Sequence, residues 1–118
     1  MKNNGNNFQL VDDYICKSFN AARKANPNIE LYYNDYGQTT SEKKGTYIYD
    51  YLKALKDKGC AIDGIGFQNH ITLDFYTKLT ENIATLRALI KKYAAAGMKV
   101  HITETDVGCK GYGSPDTC

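Results

Sequence analysis

The stretch Met98–Asp106, MKVHITETD, decides how the rest of the chain is read. It has the composition of a short buried strand that runs out into two acids, Glu104 and Asp106. Val100, Ile102, Glu104 and Asp106 share one parity, so a period of two carries both acids on the apolar face. His101 has the opposite parity and is expected to face a helix, in a structural role. A carboxylate at the C-terminal end of a buried strand is where α/β folds commonly place catalysis. Two acids in an ordinary strand-to-helix turn would give the same local pattern, so the rest of the chain has to decide.

Working outward, Gly97 closes a helix expected from about Thr77 or Thr80 to Ala96, with Ile83, Leu86, Ile90 and Tyr93 as its apolar stripe. Before it lies AIDGIGFQ (61–68), a second strand leading into Asn69 and His70. A further helix is expected to end at Lys58, with Gly59 as the residue after its C-cap. Tyr47, Ile48, Tyr51, Leu52 and Leu55 form its stripe, and Thr39 to Glu42 has capping-box spacing. IELYYNDY (29–36) is dense in strand formers and ends at Gly37. The first helix spans about Asp12 to Ala25, with Val11, Ile15, Phe19 and Ala22 at helical spacing and Asp12 and Asp13 in its first turn. Asn26-Pro27 stops it. Residues 1–10, rich in Asn, are expected to be flexible. The order α, β, α, β, α, β, with strands starting near 30, 61 and 98, means helical crossovers and a parallel sheet, an α/β fold.

At 118 residues the chain is one domain or part of one. A net charge of +2 and a pI near 8.3 are too mild to imply nucleic acid or an anionic membrane as partner. No apolar run reaches the roughly 20 residues that span a bilayer, and the N-terminal residues do not form a signal peptide. The four cysteines are Cys16, Cys60, Cys109 and Cys118, and no Cys/His spacing resembles a zinc site. Cys109 and Cys118 bracket a Gly-rich loop over 108–118 and are expected to form a disulfide clip. Such a clip would be worth roughly 2–3 kcal/mol and would imply an oxidising compartment; two reduced thiols are the alternative. The sequence leaves the state of Cys16 and Cys60 open. Ten tyrosines without a tryptophan suit sugar-facing clefts as well as cores.

In a parallel sheet all strand ends open on one edge. The first strand delivers Asn34, Asp35 and Tyr36, the second Gln68, Asn69 and His70, the third Glu104 and Asp106. Polar residues thus gather at every C-terminal end, after apolar strand bodies. Gly64-Ile65-Gly66 lies inside a strand and lacks the third glycine of a dinucleotide fingerprint. No Walker motif or G-x-S-x-G elbow is present. His70, Glu104 and Asp106 could ligate a metal, but a histidine held between carboxylates more commonly positions one of them. Glycosidic hydrolysis fits the inventory best, since it uses a nucleophilic carboxylate and a carboxyl acid/base. Glu104 suits the nucleophile, with His70 as its neighbour and Asp106 orienting the imidazole. Asp106 leaves the same strand and is poorly placed as the acid/base, and Asp35 has the wrong parity. One carboxyl of the pair is therefore missing.

LYYNDY (31–36), IDGIGFQNH (62–70) and VHITETD (100–106), in that order and spacing, closely resemble the endo-β-1,4-xylanases of glycoside hydrolase family 10. The resemblance covers about residues 11 to 107, including the helix DDYICKSFNAARKANP (12–27). It implies an incomplete (β/α)8 TIM barrel comprising strands five to seven, a retaining mechanism on xylan or xylo-oligosaccharides, no cofactor, and a secreted, extracellular enzyme. Position by position, Glu104 matches the nucleophile, His70 the histidine that hydrogen-bonds it, and Asp106 the acid supporting that histidine. Gln68 matches a residue contacting the sugar beside the cleaved bond, and Asn34 and Tyr36 belong to the fifth-strand motif and are expected to bind substrate, with Tyr36 on the leaving-group side. The family's acid/base lies in a W-D-V-V-N-E-like segment that this sequence does not contain, and the tryptophans that hold the sugar are absent too. The lone chain is therefore expected to be inactive or nearly so and to self-associate through exposed barrel edges. A non-catalytic xylan-binding remnant or a small α/β module is the alternative.

Overall fold

The computed structural model describes residues 13–72 and 78–108. Three helices, α1 (Tyr14–Ala25), α2 (Glu42–Asp57) and α3 (Leu79–Ala95), alternate with strands β1 (Tyr32–Asp35), β2 (Gly64–Phe67), β3 (His70–Thr72), β4 (Lys99–Ile102) and β5 (Asp106–Gly108). β1, β2 and β4 form a parallel sheet in that order, with β2 central. β3 and β5 form a second, two-stranded parallel sheet. The βα repeat expected from the sequence is present. Each crossover is helical because parallel strands cannot be joined by a tight turn.

The register aligns Tyr33, Ile65 and Val100 on one face, and Asn34, Gly66 and His101 on the other. Ile65 and Phe67 are fully buried beneath the helices, with Ile48, Leu52, Leu55, Leu89 and Tyr93. Each such side chain contributes about 1.5–3 kcal/mol of transfer free energy. Tyr93 meets Phe67 and Tyr49 edge-on, at ring separations of 5.8 and 5.2 Å. The opposite sheet face carries no helix among the described residues, and there Tyr32 stacks on His101 at 4.1 Å. The expectation that His101 faces a helix is thus overturned: Val100 takes that position.

Several boundaries move for physical reasons. The third strand stops at Ile102 and resumes at Asp106, so the parity of Val100 and Ile102 does not carry through to the acids. The cap of α2 is Ser41, whose hydroxyl accepts from the Lys44 N–H at 3.4 Å, and not Thr39, which is buried. The buried face of α2 is Gly45, Ile48, Leu52 and Leu55, which leaves Tyr47 and Tyr51 exposed. On α3 the buried pair is Leu89 and Tyr93, while Ile83 and Ile90 are exposed. Asp13 sits before α1 as its N-cap, in the left-handed region at φ 55°, and Gly37, Gly59 and Gly97 follow their elements with positive φ. The lead-in over 1–10 and Cys109 with Cys118 lie outside the described residues.

The described disulfide joins Cys16 of α1 to Cys60, just before β2, across a sequence separation of 44. Closing a loop of that length is worth about 4 kcal/mol in the chain-entropy model. Asn20 accepts from the Ala61 N–H at 2.9 Å, and Arg23 pairs with Asp63, whose carboxylate also accepts from the Leu31 N–H. These ties fasten α1 to the N-terminal edge of the sheet, away from the C-terminal strand ends.

Candidate functional site

At the C-terminal edge the ladder persists one step past the strands. Gln68 N–H donates to Asp35 O at 3.0 Å and Thr103 N–H to Phe67 O at 2.9 Å. Beyond those points the chain turns twice. Asn69 adopts φ 59°, a conformation that asparagine tolerates better than most residues. Its amide donates to Thr105 Oγ1 at 3.1 Å and ties the two turns together. The turned segments then pair as β3 and β5, which sets His70 directly opposite Asp106.

The side chains form a connected row. His70 Nδ1 lies 2.9 Å from Asp106 Oδ2, and His70 Nε2 lies 3.4 Å from Glu104 Oε2. Asn34 Nδ2 donates to Glu104 Oε1 at 2.6 Å, and Thr103 Oγ1 donates to Asn34 Oδ1 at 2.8 Å. One imidazole thus presents a nitrogen to each of two carboxylates, and both oxygens of Glu104 face nitrogen partners. A neutral imidazole donates through one nitrogen only, so its tautomer decides which carboxylate it serves. The imidazole is mostly covered, at 18% side-chain exposure, whereas Glu104 at 44% is open to an incoming molecule.

Beside this row lies a cavity of about 520 Å³ lined by Tyr36, Gly37, Thr40, Gln68 and His70. Tyr36, exposed by 62%, offers its ring to solvent. Lys44 of α2 places its ammonium 3.7 Å from that ring's centroid and 3.0 Å from Asp35 Oδ1. Asp35 Oδ1 also accepts from the Tyr36 N–H at 2.7 Å, and Tyr33 OH donates to Asp35 Oδ2 at 3.3 Å. Burial, then the Asp35 charge, push the Tyr33 phenol up to about 12. Gln38, 1% exposed, donates to Asp35 O and Gly66 O and pins the loop under the cavity.

The residues singled out from the sequence are therefore brought together: His70, Glu104 and Asp106 in one row, Gln68 and Tyr36 on the adjoining cavity wall. Asn34 contacts Glu104 itself, a role the sequence did not suggest. Thr103, Gly66, Thr105 and Lys44 were missed, and Asn69 was placed at the strand end without its tie to Thr105. A glycine inside a strand signals close approach of another group, and that reading of Gly66 would have found the crossing over it. Among the described residues no group of three or more His, Cys, Asp or Glu side chains is placed to hold a metal ion.

Comparison with known proteins gives a concordant picture. Residues 1–115 match the family model described as Glycosyl hydrolase family 10. An endo-1,4-beta-xylanase A from Thermoanaerobacterium saccharolyticum is 38% identical over 99 residues, which are 84% of this chain and 8% of that protein. An endo-1,4-beta-xylanase from Geobacillus stearothermophilus is 42% identical over 98 residues, 83% of this chain and 28% of that protein. Among solved structures, the intracellular xylanase TsXylA of Thermoanaerobacterium saccharolyticum, in complex with xylotriose, superposes with a TM-score of 0.75 at 36% identity, covering 92% of this chain and 32% of that one. The chain spans less than a third of the length of these relatives. Its three parallel strands, joined by helical crossovers, are part of an α/β barrel. The expectation of an extracellular location is overturned: TsXylA is intracellular, so likeness to this family does not carry secretion. The other support for it, the Cys109–Cys118 clip, lies outside the described residues.

Proposed function

The chain belongs to glycosyl hydrolase family 10, and from that membership we propose that it supplies the nucleophile side of a retaining endo-1,4-β-xylanase. Glu104 is the nucleophile. One of its oxygens attacks the anomeric carbon of a β-1,4-linked xylosyl unit, and the bond to the leaving sugar breaks as that sugar's oxygen takes a proton from a general acid. The glycosyl ester on Glu104 is then hydrolysed by water, which returns a proton to the same acid/base. His70 and Asn34 fix the two oxygens of Glu104 so that attack requires no rearrangement, and Asp106 orients the imidazole. Gln68 faces the sugar at the cleaved bond, and Tyr36 stacks on the leaving-group side of the cleft.

The single observation that carries this reading is Glu104, accessible at the sheet edge beside the cavity, with a nitrogen partner at each carboxylate oxygen. The general acid must stand about 5–5.5 Å across the cleft. Glu30 precedes β1, and Glu42 and Glu81 lie in the first turns of α2 and α3, so none of them is at the strand edge. The acid is supplied by barrel strands beyond the three described here, and the 118-residue chain by itself turns over xylan negligibly, since general acid catalysis contributes about 10²–10⁴-fold. In a complete barrel carrying these residues, Glu104→Gln is expected to lower kcat on an activated aryl xylobioside by at least about 10⁴-fold. Retention of turnover in that variant would remove Glu104 from its role.

Among the described residues no carboxyl is placed across the cleft from Glu104, since Asp106 is taken up by His70 and Asp35 by Lys44, and this favours one other reading, a non-catalytic xylan-binding module. It requires that xylo-oligosaccharides bind this chain, that Tyr36→Ala abolishes binding, and that a complete barrel carrying Glu104 shows no hydrolysis.

A further inference from the structure

We propose that Thr103 is a positioning residue for the nucleophile, acting through Asn34, and that Gly66 is the opening through which the two meet. The inference rests on the reading of Glu104 as nucleophile and adds the group that determines how one of its oxygens is held. Asn34 belongs to β1 and Thr103 follows β4, with β2 between them. Those outer strands stand two strand spacings apart, about 9.6 Å. A direct contact between them has to pass over the central strand. It passes at Gly66, the register partner of both Asn34 and His101. A Cβ at that position would lie 2.5 Å from Asn34 Oδ1 and 3.0 Å from Thr103 Cγ2. Any side chain there would push the bridge aside, and the contact with Asn34 is too close for a real Cβ.

The bridge has a direction. A primary amide has an acceptor end and a donor end, and a carboxylate only accepts. With Thr103 Oγ1 donating to Asn34 Oδ1 at 2.8 Å, the Nδ2 end is turned to Glu104 Oε1, at 2.6 Å. Reversing the amide would set its oxygen lone pairs against the carboxylate. Thr103 itself is held from behind, since its N–H donates to Phe67 O at 2.9 Å and locks its backbone to β2. The hydroxyl is thus the group that selects the productive end of Asn34, and it acts on Glu104 through that amide.

The test compares Thr103→Val, which keeps the shape and removes the hydroxyl, with Thr103→Ser, which keeps the hydroxyl and removes the methyl. Both are measured in a complete barrel carrying these residues, as kcat/KM against pH on an activated aryl xylobioside, with Glu104→Gln in the same series. Thr103→Val is expected to lower kcat/KM roughly 3–10-fold, the scale of one hydrogen bond, and to move the acid limb of the profile upward. Thr103→Ser should restore both to within roughly twofold. Thr103→Ala carries the same expectation as Thr103→Val and replaces it if that variant folds poorly. A Thr103→Val profile that coincides with the parent, or a Thr103→Ser loss as large as that of Thr103→Val, overturns the inference while leaving Glu104 in place. Turnover that survives Glu104→Gln overturns the inference and the functional reading together.

Discussion

Asn34 and Asp35 are neighbours in the chain, and the pleat sends them to opposite faces of the sheet with separate tasks. Asn34 meets Glu104 on the open face, whereas Asp35 turns to the helix side and binds Lys44. Lys44 then lies over one face of the Tyr36 ring, so the tyrosine is braced from that side, and the proposed stacking on a sugar would use the other. Lys44→Met should raise KM for xylo-oligosaccharides that reach Tyr36 by about 2–10-fold, with a much smaller change for a short aryl glycoside. Equal effects on both substrates would remove Lys44 from that task. His70, Glu104 and Asp106 were legible as a group in the sequence, because each is polar and stands just after an apolar strand body. Thr103 was not legible. A threonine in a strand usually signals β-propensity and nothing more, and its partner Asn34 is 69 positions away.

At the scale of elements, the helices and the three-stranded sheet followed from periodicity, while β3 and β5 did not. Their pairing is set by contact between residues 36 apart, and neither three-residue strand has a pattern of its own. The buried face of α2 was displaced for a similar reason. A Cβ on Gly45 would come within 2.9 Å of Leu89, so a bare position is what lets α2 and α3 approach, and glycine carries no hydrophobic signal. The disulfide between Cys16 and Cys60 ties α1 to the edge of the sheet remote from the cleft. Replacing both by serine should cost about 4 kcal/mol in denaturant unfolding, and an unchanged midpoint would contradict that tie. Alkaline pH should loosen the α2 side of the sheet. The folded state raises Tyr33 from 10.0 to about 12, so its contribution is complete below pH 10 and is lost as pH rises through about 12. Tyr33→Phe should therefore show a smaller loss of stability across that interval, measured by denaturant melts at fixed pH, and an undiminished loss would contradict the assignment.

At the scale of the molecule, one sheet face is packed against helices and the other carries Tyr32, Asn34, His101 and Thr103 without a covering layer among the described residues. The ridge of α3 leaves Leu79, Ile83 and Ile90 exposed as well. In a closed barrel these surfaces are interior or interhelical, so the 118-residue chain on its own should associate. Sedimentation at rising concentration should give masses above the 13.2 kDa of a monomer, and a monomer throughout would contradict this. The proposed function divides the chemistry, with the nucleophile on these strands and the acid across the cleft. A 2-deoxy-2-fluoro xylobioside with an activated leaving group does not depend on the acid and traps the glycosyl ester. The most direct test is to treat a complete barrel carrying these residues with that reagent and sequence the labelled peptide by mass spectrometry. The label is expected on Glu104 within VHITETD, and a label on any other residue would contradict the account.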